Sequence, residues 1–428
     1  MKAALARAAY SLLLRSLTPL YFARLWWRGR REPAYRRHWR ERLGFGAPMP
    51  PDALWVHAVS LGETRAAAAL LHALRAREPG LRVLLTHGTG TGREAGAALL
   101  RPGDAQCWLP YDTPGASRRF LRRWRPALGV LMETEIWPNL LHAAHAAAVP
   151  VVLANARLSG RSARLGERSS ALLYPAVATL ARVLAQTDDD AARLRAAGAP
   201  DVRVLGNLKF DMTPDAALLA RGRRWRAALE RPVVLAASTR EGEELMLLQA
   251  WTARAAPRPL LVIVPRHPQR FDDVAALVAA HLSPLGLTAE RRSHWSEAPS
   301  LRAAAADVWI GDSVGEMPQY YGLADAALLG GSFAPLGGQN LIEAAACGCP
   351  LVMGPHTFNF SEAAELALAA GAAERVDGIE AGVERVIALA LDPQRERRSR
   401  QASDFAAAHR GAAARAAEQI LELFRGAR

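Results

Sequence analysis

Ser60 and Glu63 stand three residues apart in "LWVHAVSLGETRAA", where an apolar run gives way to a small-residue turn and then an alanine-rich helical pattern. Ser-x-x-Glu at such a place is a capping box, in which each side chain satisfies an orphan N–H of the first helical turn. A carboxylate at a strand exit also lies on the edge of an open α/β sheet where ligands collect, and there it has the chemistry of a proton acceptor. Both roles are open to Glu63. "METEIWPNLL" puts Glu133 and Glu135 behind another apolar run, at the same kind of sheet edge or simply at a helix start that favours negative charge.

The second half carries donors instead. "LVIVPRHPQRF" ends a buried run with Arg266 and His267, suited to a phosphate or carboxylate at a strand tip. "GDSVGEMPQYY" places Gly315, Glu316 and Met317 in a turn after another such run. "LLGGSFAPLGGQNLIEAAACGCP" reads as strand, glycine-rich loop and a helix from about Asn340. The backbone N–H groups of Gly338, Gln339 and Asn340 would meet a phosphate at that helix start. Glu343, one turn further in, would accept hydrogen bonds from ribose hydroxyls. Three strand exits thus converge on one anion site.

Two other motifs are weaker. In "HGTGTGREAG", Gly90-x-Gly92-x-x-Ala95 follows an apolar run and opens a helix, as a dinucleotide fingerprint does, but it follows the second such run rather than the first. An NAD-dependent oxidoreductase is the alternative it supports. The acids of "QTDDDAARL" are explained by Thr187 capping a helix with Asp188, Asp189 and Asp190 in its first turn, rather than by a metal site. Cys107, Cys347 and Cys349 have no paired framework or zinc spacing and read as small buried residues of a reducing compartment. No metal and no cofactor is expected.

The elements that must position these residues alternate regularly. From residue 53, short apolar runs trade places with helical patterns of 10 to 15 residues, the signature of βαβ units and a parallel sheet. Strands are expected at 53–59, 81–87, 127–133, 149–155, 182–187 and 202–207. After "GNLKFDMTPD" and a long helical stretch, they resume at "PVVLAAS", "PLLVIVP", "DVWIGD", "AALLGG" and "PLVMGP". A chain of 428 residues exceeds one ordinary core. Two successive α/β domains are therefore expected, 46–208 and 209–428, with the last helix reaching back to the first.

Residues 1–45 are different in kind. Residues 1–42 hold eleven Lys or Arg against two Glu, a net of +9, which leaves +4 for the rest of a chain whose formal charge is +13. They also carry "SLLLRSLTPLYFARLWWRGR", in which Arg15 and Pro19 interrupt any clean spanning helix and Trp26-Trp27-Arg28 supplies no signal-peptide cleavage site. A basic, aromatic segment of this kind suits an anionic membrane surface. The other possibility is an ordinary helix packed on its own domain. No recognition motif accompanies the arginines, so nucleic acid is not an expected partner.

"GGSFAPLGGQNLIEAA" resembles the nucleotide-sugar signature of GT-B glycosyltransferases. Seven segments in order, "LWVHAVSLGET", "METEIWPNLL", "NARLSGRS", "GNLKFD", "PRHPQRF", "GDSVGEMPQYY" and "GGSFAPLGGQN", resemble the transferases of 3-deoxy-D-manno-octulosonic acid (Kdo). The resemblance implies an α/β, GT-B fold of two Rossmann-like domains facing across a cleft, with an N-terminal membrane-associated segment at the cytoplasmic face of the inner membrane. It also implies CMP-Kdo as donor, the lipid A precursor as acceptor and inversion at the anomeric carbon. The family's catalytic glutamate falls on Glu63. Its CMP contacts fall on Arg266, His267, Gly315, Glu316, Met317, Asn340, Leu341, Ile342 and Glu343. Where many GT-B enzymes have Gly-Gly-His-Asn, this chain has Gln339 in the histidine's place.

Overall fold

The computed structural model describes residues 1–30 and 32–427. The chain forms two compact units: residues 1–211 together with the chain from His409 onward, and residues 212–408. Residues 1–45, set apart in the sequence, belong by their contacts to the first unit, and the sequence boundary at 208/209 lies just before the crossover at Asp211.

Unit 1 holds seven strands: β1 (Leu54–His57), β2 (Val83–His87), β3 (Ala105–Trp108), β4 (Leu128–Met132), β5 (Val151–Ala156), β6 (Arg182–Ala185) and β7 (Val202–Val204). They lie in the order β3-β2-β1-β4-β5-β6-β7 and pair in parallel. Their central strands are apolar on both faces because helices cover both. One face packs Leu70, Leu71 and Leu74 of the helix Leu61–Arg77 with Ile420, Leu421 and Phe424 of the last helix, Ala412–Gly426. Asp211 fixes the return of the chain by accepting from the N–H groups of Gly411 and Ala413.

Unit 2 repeats the design with β8 (Val233–Thr239), β9 (Leu260–Pro265), β10 (Ala289–Arg291), β11 (Val308–Ile310), β12 (Ala326–Leu329), β13 (Leu351–Met353) and β14 (Ala373–Arg375), in the order β10-β11-β9-β8-β12-β13-β14. In each sheet the strand order reverses direction beside the unit's first strand, between β1 and β4 and between β8 and β12. The crevice at the carboxyl ends of the strands there is where open α/β sheets bind ligands.

The N-terminal helix α1 (Lys2–Arg28) is anchored along one side. Tyr10 donates to Asp112 (3.1 Å), Ser11 to Asn139 (3.0 Å), Tyr21 stacks on Tyr111 at 4.4 Å, and Leu25 is buried with Tyr35 and Trp108. Its other side leaves Leu5, Leu12, Leu13, Leu20, Trp26 and Trp27 exposed. No helix among the described residues is long and apolar enough to cross a membrane.

Candidate active site

At the switch point of unit 1, β1 turns through Ala58–Ser60 into the helix α2 (Leu61–Arg77). Ser60 caps that helix. Its hydroxyl donates to one oxygen of Glu63 (3.0 Å) and accepts from the Glu63 N–H (3.4 Å), while the other carboxylate oxygen accepts from the Val59 N–H (2.8 Å). A capping box would return the glutamate to the N–H of the cap itself. Here it reaches one residue further back, so the carboxylate is oriented as well as capped. The side chain is half-buried, and burial pushes its pKa upward against the Val59 N–H, with Glu133 and Glu135 adding to the rise.

Glu133 and Glu135 follow β4, the strand on the other side of the switch point. Glu133 sits at φ +58, a region costly for a residue with a side chain and frequent at functional sites. Lys209 pairs with it at 3.0 Å. Glu135 accepts from the Trp137 indole (2.8 Å) and lies 3.7 Å from Nε2 of the buried His57, whose Nδ1 contacts Thr86. Three carboxylates with a lysine and hydroxyl donors make a place for moving protons.

The switch point of unit 2 has the opposite charge. Arg266 leaves β9 with its N–H on Thr239 (2.9 Å) and its Nε on the side chain of Gln339 (3.0 Å), joining the β9 exit to the glycine-rich loop after β12. Burial, and then Arg240 and Arg266, push the pKa of the half-buried His267 down. The Arg266 and Arg240 guanidiniums, with His267 as a neutral donor, suit an incoming oxyanion. The loop itself is held from behind. Glu243, 2% exposed, accepts from the N–H groups of Arg240 (2.9 Å), Gly331 (2.7 Å), Phe333 (3.2 Å) and Ala334 (3.3 Å). Neighbouring Glu244 takes both ends of Arg270, at 2.8 and 2.9 Å, and the Thr239 hydroxyl.

Residues 37–212 match the family described as 3-deoxy-D-manno-octulosonic-acid transferase (kdotransferase). A 3-deoxy-D-manno-octulosonic acid transferase of Bordetella pertussis is 48% identical over 97% of this chain and 98% of its own. The chain belongs to the Kdo transferase family. The transferase of Haemophilus influenzae is 34% identical over 91% and 92% of the two chains. Among solved structures, UDP-GlcNAc 2-epimerase from Neisseria meningitidis bound to UDP-GlcNAc superposes with a TM-score of 0.56 over 87% of this chain and 100% of that one, at 15% identity, which shows the GT-B type of fold.

As a Kdo transferase, the chain is a glycosyltransferase, and the dinucleotide alternative has no support in the geometry. The Gly88 and Thr89 N–H groups and the Thr89 hydroxyl all donate to the Val59 carbonyl (3.2, 3.0 and 2.9 Å). A Cβ on Gly92 would come within 2.9 Å of that same oxygen, and Gly90 is buried against Ala34 and Glu32. The glycines of this loop let it close down on the Val59–Ser60 turn and brace Glu63.

The transferase's other sequence-named residues divide by accessibility. Leu341 and Ile342 are core, 1% and 0% exposed, so only their backbone can meet a ligand. The Asn340 side-chain oxygen Oδ1 caps its helix by accepting from the Ile342 N–H (3.1 Å). Glu316 is held by Arg221, Arg292 and Ser313 at 3.0, 3.0 and 2.6 Å, which makes it a brace for the Gly315–Met317 turn. Glu343 is partly exposed beside Tyr321 and Cys347. Sequence reasoning missed the side-chain role of Gln339, the clamp of Glu243 and the Lys209–Glu133 pair. "REGEEL", directly after the first strand of unit 2, carries the same kind of signal as "SLGET" in unit 1, and it named Glu243 and Glu244 for anyone who compared the two exits.

Proposed function

We propose that this chain transfers Kdo from CMP-Kdo to the lipid A precursor, the tetraacyl disaccharide bisphosphate, inverting the anomeric carbon, with Glu63 as general base. The observation that carries it is a fixed carboxylate of raised pKa at a sheet switch point, flanked by two more carboxylates. Glu63 takes the proton of the acceptor hydroxyl as its oxygen bonds to the anomeric carbon, and the bond to the CMP phosphate oxygen breaks with its electron pair. Arg266, His267 and the backbone N–H groups of Gly315–Met317, Asn340, Leu341 and Glu343 receive the phosphate, whose growing charge they stabilise. Side-chain contacts from this group come from Arg266, His267 and Glu343.

The exposed Leu12, Leu13, Leu20, Trp26 and Trp27, set among basic residues, support a helix lying on an anionic membrane, here the cytoplasmic face of the inner membrane. Because Tyr10, Ser11 and Leu25 pack on unit 1, deleting α1 would disturb the fold. Leu13→Gln/Leu20→Gln tests the surface alone, and vesicle co-sedimentation should fall with no change in melting temperature. Unchanged co-sedimentation would remove α1 from the membrane contact. The donor is tested by thermal shift: CMP raises the melting temperature and NAD does not. A rise with NAD alone would return the oxidoreductase.

A further inference from the structure

On unit 1, away from the switch point, four arginines line one cavity of about 550 Å³. Arg119, Arg122 and Arg123 belong to the helix Pro114–Trp124, at i, i+3 and i+4, so they share a face, while Phe120, Leu121 and Trp124 fill the core behind them. Arg40 is brought in by the short turn Trp39–Leu43. Like charges at that spacing repel. The helix C-terminus explains a preference for cations in its last turn, but not the addition of Arg40 from another element. Among the described residues, none of the four is in an ion pair.

The cavity is built rather than incidental. The Arg119 and Arg123 Nε atoms donate to the carbonyls of Leu43 and Gly46, both at 2.9 Å, which holds each guanidinium by its stem side. Arg119 and Arg40 lie over the Phe45 ring at 4.8 and 5.7 Å. Gly44, at φ +83, and Gly46 press so close to the helix that an added Cβ would lie 2.5 Å from the Ala116 carbonyl or from Trp124. Next along the chain from Arg40, Trp39 lines a second cavity of about 700 Å³ with Phe22, Trp26, Trp27 and Arg30. One short turn, Trp39–Leu43, thus contributes consecutive residues to a site for multiple negative charge and to an aromatic, apolar one.

We propose that the arginine cavity binds the phosphate monoester of a lipid headgroup, its hydrocarbon lying along the neighbouring aromatic cavity. A monoester carries close to two negative charges and three acceptor oxygens, which guanidinium forks match two at a time. The proposal goes beyond the donor and base assignments, and it rests on the membrane-surface reading only for the source of the phosphate.

The test is co-sedimentation of the full chain with phosphatidylcholine vesicles that carry either phosphatidic acid, a monoester, or phosphatidylglycerol, a diester. The parent should prefer phosphatidic acid by about ten-fold, the order expected of charge-assisted hydrogen bonds. Arg40→Gln/Arg122→Gln, whose side chains donate no hydrogen bond among the described residues, should abolish that preference while CMP binding is unchanged. Arg397→Gln/Arg400→Gln, an equal loss of charge on the helix Arg395–Ala408, should keep it. Leu13→Gln/Leu20→Gln should weaken binding to both vesicles and preserve the preference. Equal binding of the parent to both vesicles, or equal loss in both arginine pairs, would overturn the proposal. So would inorganic phosphate that binds the parent while neither vesicle is preferred, since the cavity would then serve a free ion.

Discussion

Glu63 and Glu243 occupy corresponding places, each at the start of the helix after the first strand of its unit, and their surroundings give them different chemistry. Glu243 is 2% exposed and accepts four backbone N–H groups, so it acts as an internal anion that shapes the glycine-rich loop. Glu63 accepts one backbone N–H and one hydroxyl, is half-buried and has its pKa raised. The contrast extends to the neighbours. Carboxylates crowd Glu63, whereas Arg240, Arg266 and His267 gather at the exits of unit 2. One topology thus holds a half-buried carboxylate of raised pKa at one switch point and a buried, fully bonded one beside arginines at the other, and the number of donors aimed at each carboxylate sets that difference.

The largest effect should come from removing the basicity of Glu63. Glutamine still offers an acceptor oxygen to the Val59 N–H, so α2 keeps its start and the stability loss stays under the ~1 kcal/mol of a lost cap. Transfer from CMP-Kdo, measured on the purified variant, should fall about 10²- to 10⁴-fold. A rate within a few-fold of the parent would leave Glu63 as a cap only.

Glu243→Gln should do the reverse. Its amide nitrogen would face backbone N–H groups, so buried donors lose their acceptor and unit 2 should lose about 3 kcal/mol in denaturant unfolding. A loss below about 0.5 kcal/mol, the level of an ordinary surface change, would deny it the clamp.

His87 sharpens the comparison through pH. Burial holds its pKa down at about 4, with Nδ1 on the Ala58 carbonyl at the root of the Glu63 turn. Because the native state resists a proton that the unfolded chain takes near pH ~6.5, this contribution is full above that pH. It is lost as pH falls toward about 4, by about 3 kcal/mol in all. Urea unfolding across that window should show a shallower acid loss in His87→Gln, and parallel curves would contradict it.

The smallest predicted effect is on the donor. Arg266→Ala should weaken CMP binding by about 1.5 to 3 kcal/mol in titration calorimetry. Unchanged affinity would remove Arg266 from the site.

Apart from the edge strand β7, the strands that the sequence made legible are the buried ones, whose uninterrupted apolar runs come from having helices on both faces. The three it hid, "AQCW" of β3 and "AER" of β10 and β14, are short and lie at sheet edges, where one flank needs no apolar residue. Glu63 drew notice through its Ser-x-x-Glu spacing after a strand, and Arg266 and His267 because polar residues directly after an apolar run stand out. Leu341 and Ile342 came in with a motif and proved to be core. The side-chain role of Gln339 escaped because it depends on a side chain 73 residues away. Packing of α1 on its own domain was the alternative reading of this segment, but its partners escaped because Tyr10 and Ser11 meet residues more than 100 positions along the chain, which no local pattern records.

The division of labour between the two switch points is tested most directly by the CMP affinity of Glu63→Gln, titrated calorimetrically beside the parent. A nucleotide received only by unit 2 should bind the variant within about two-fold of the parent, which is less than half of a 1.4 kcal/mol step. A loss of about ten-fold or more would put Glu63 among the nucleotide's contacts and contradict the separation of base from donor site.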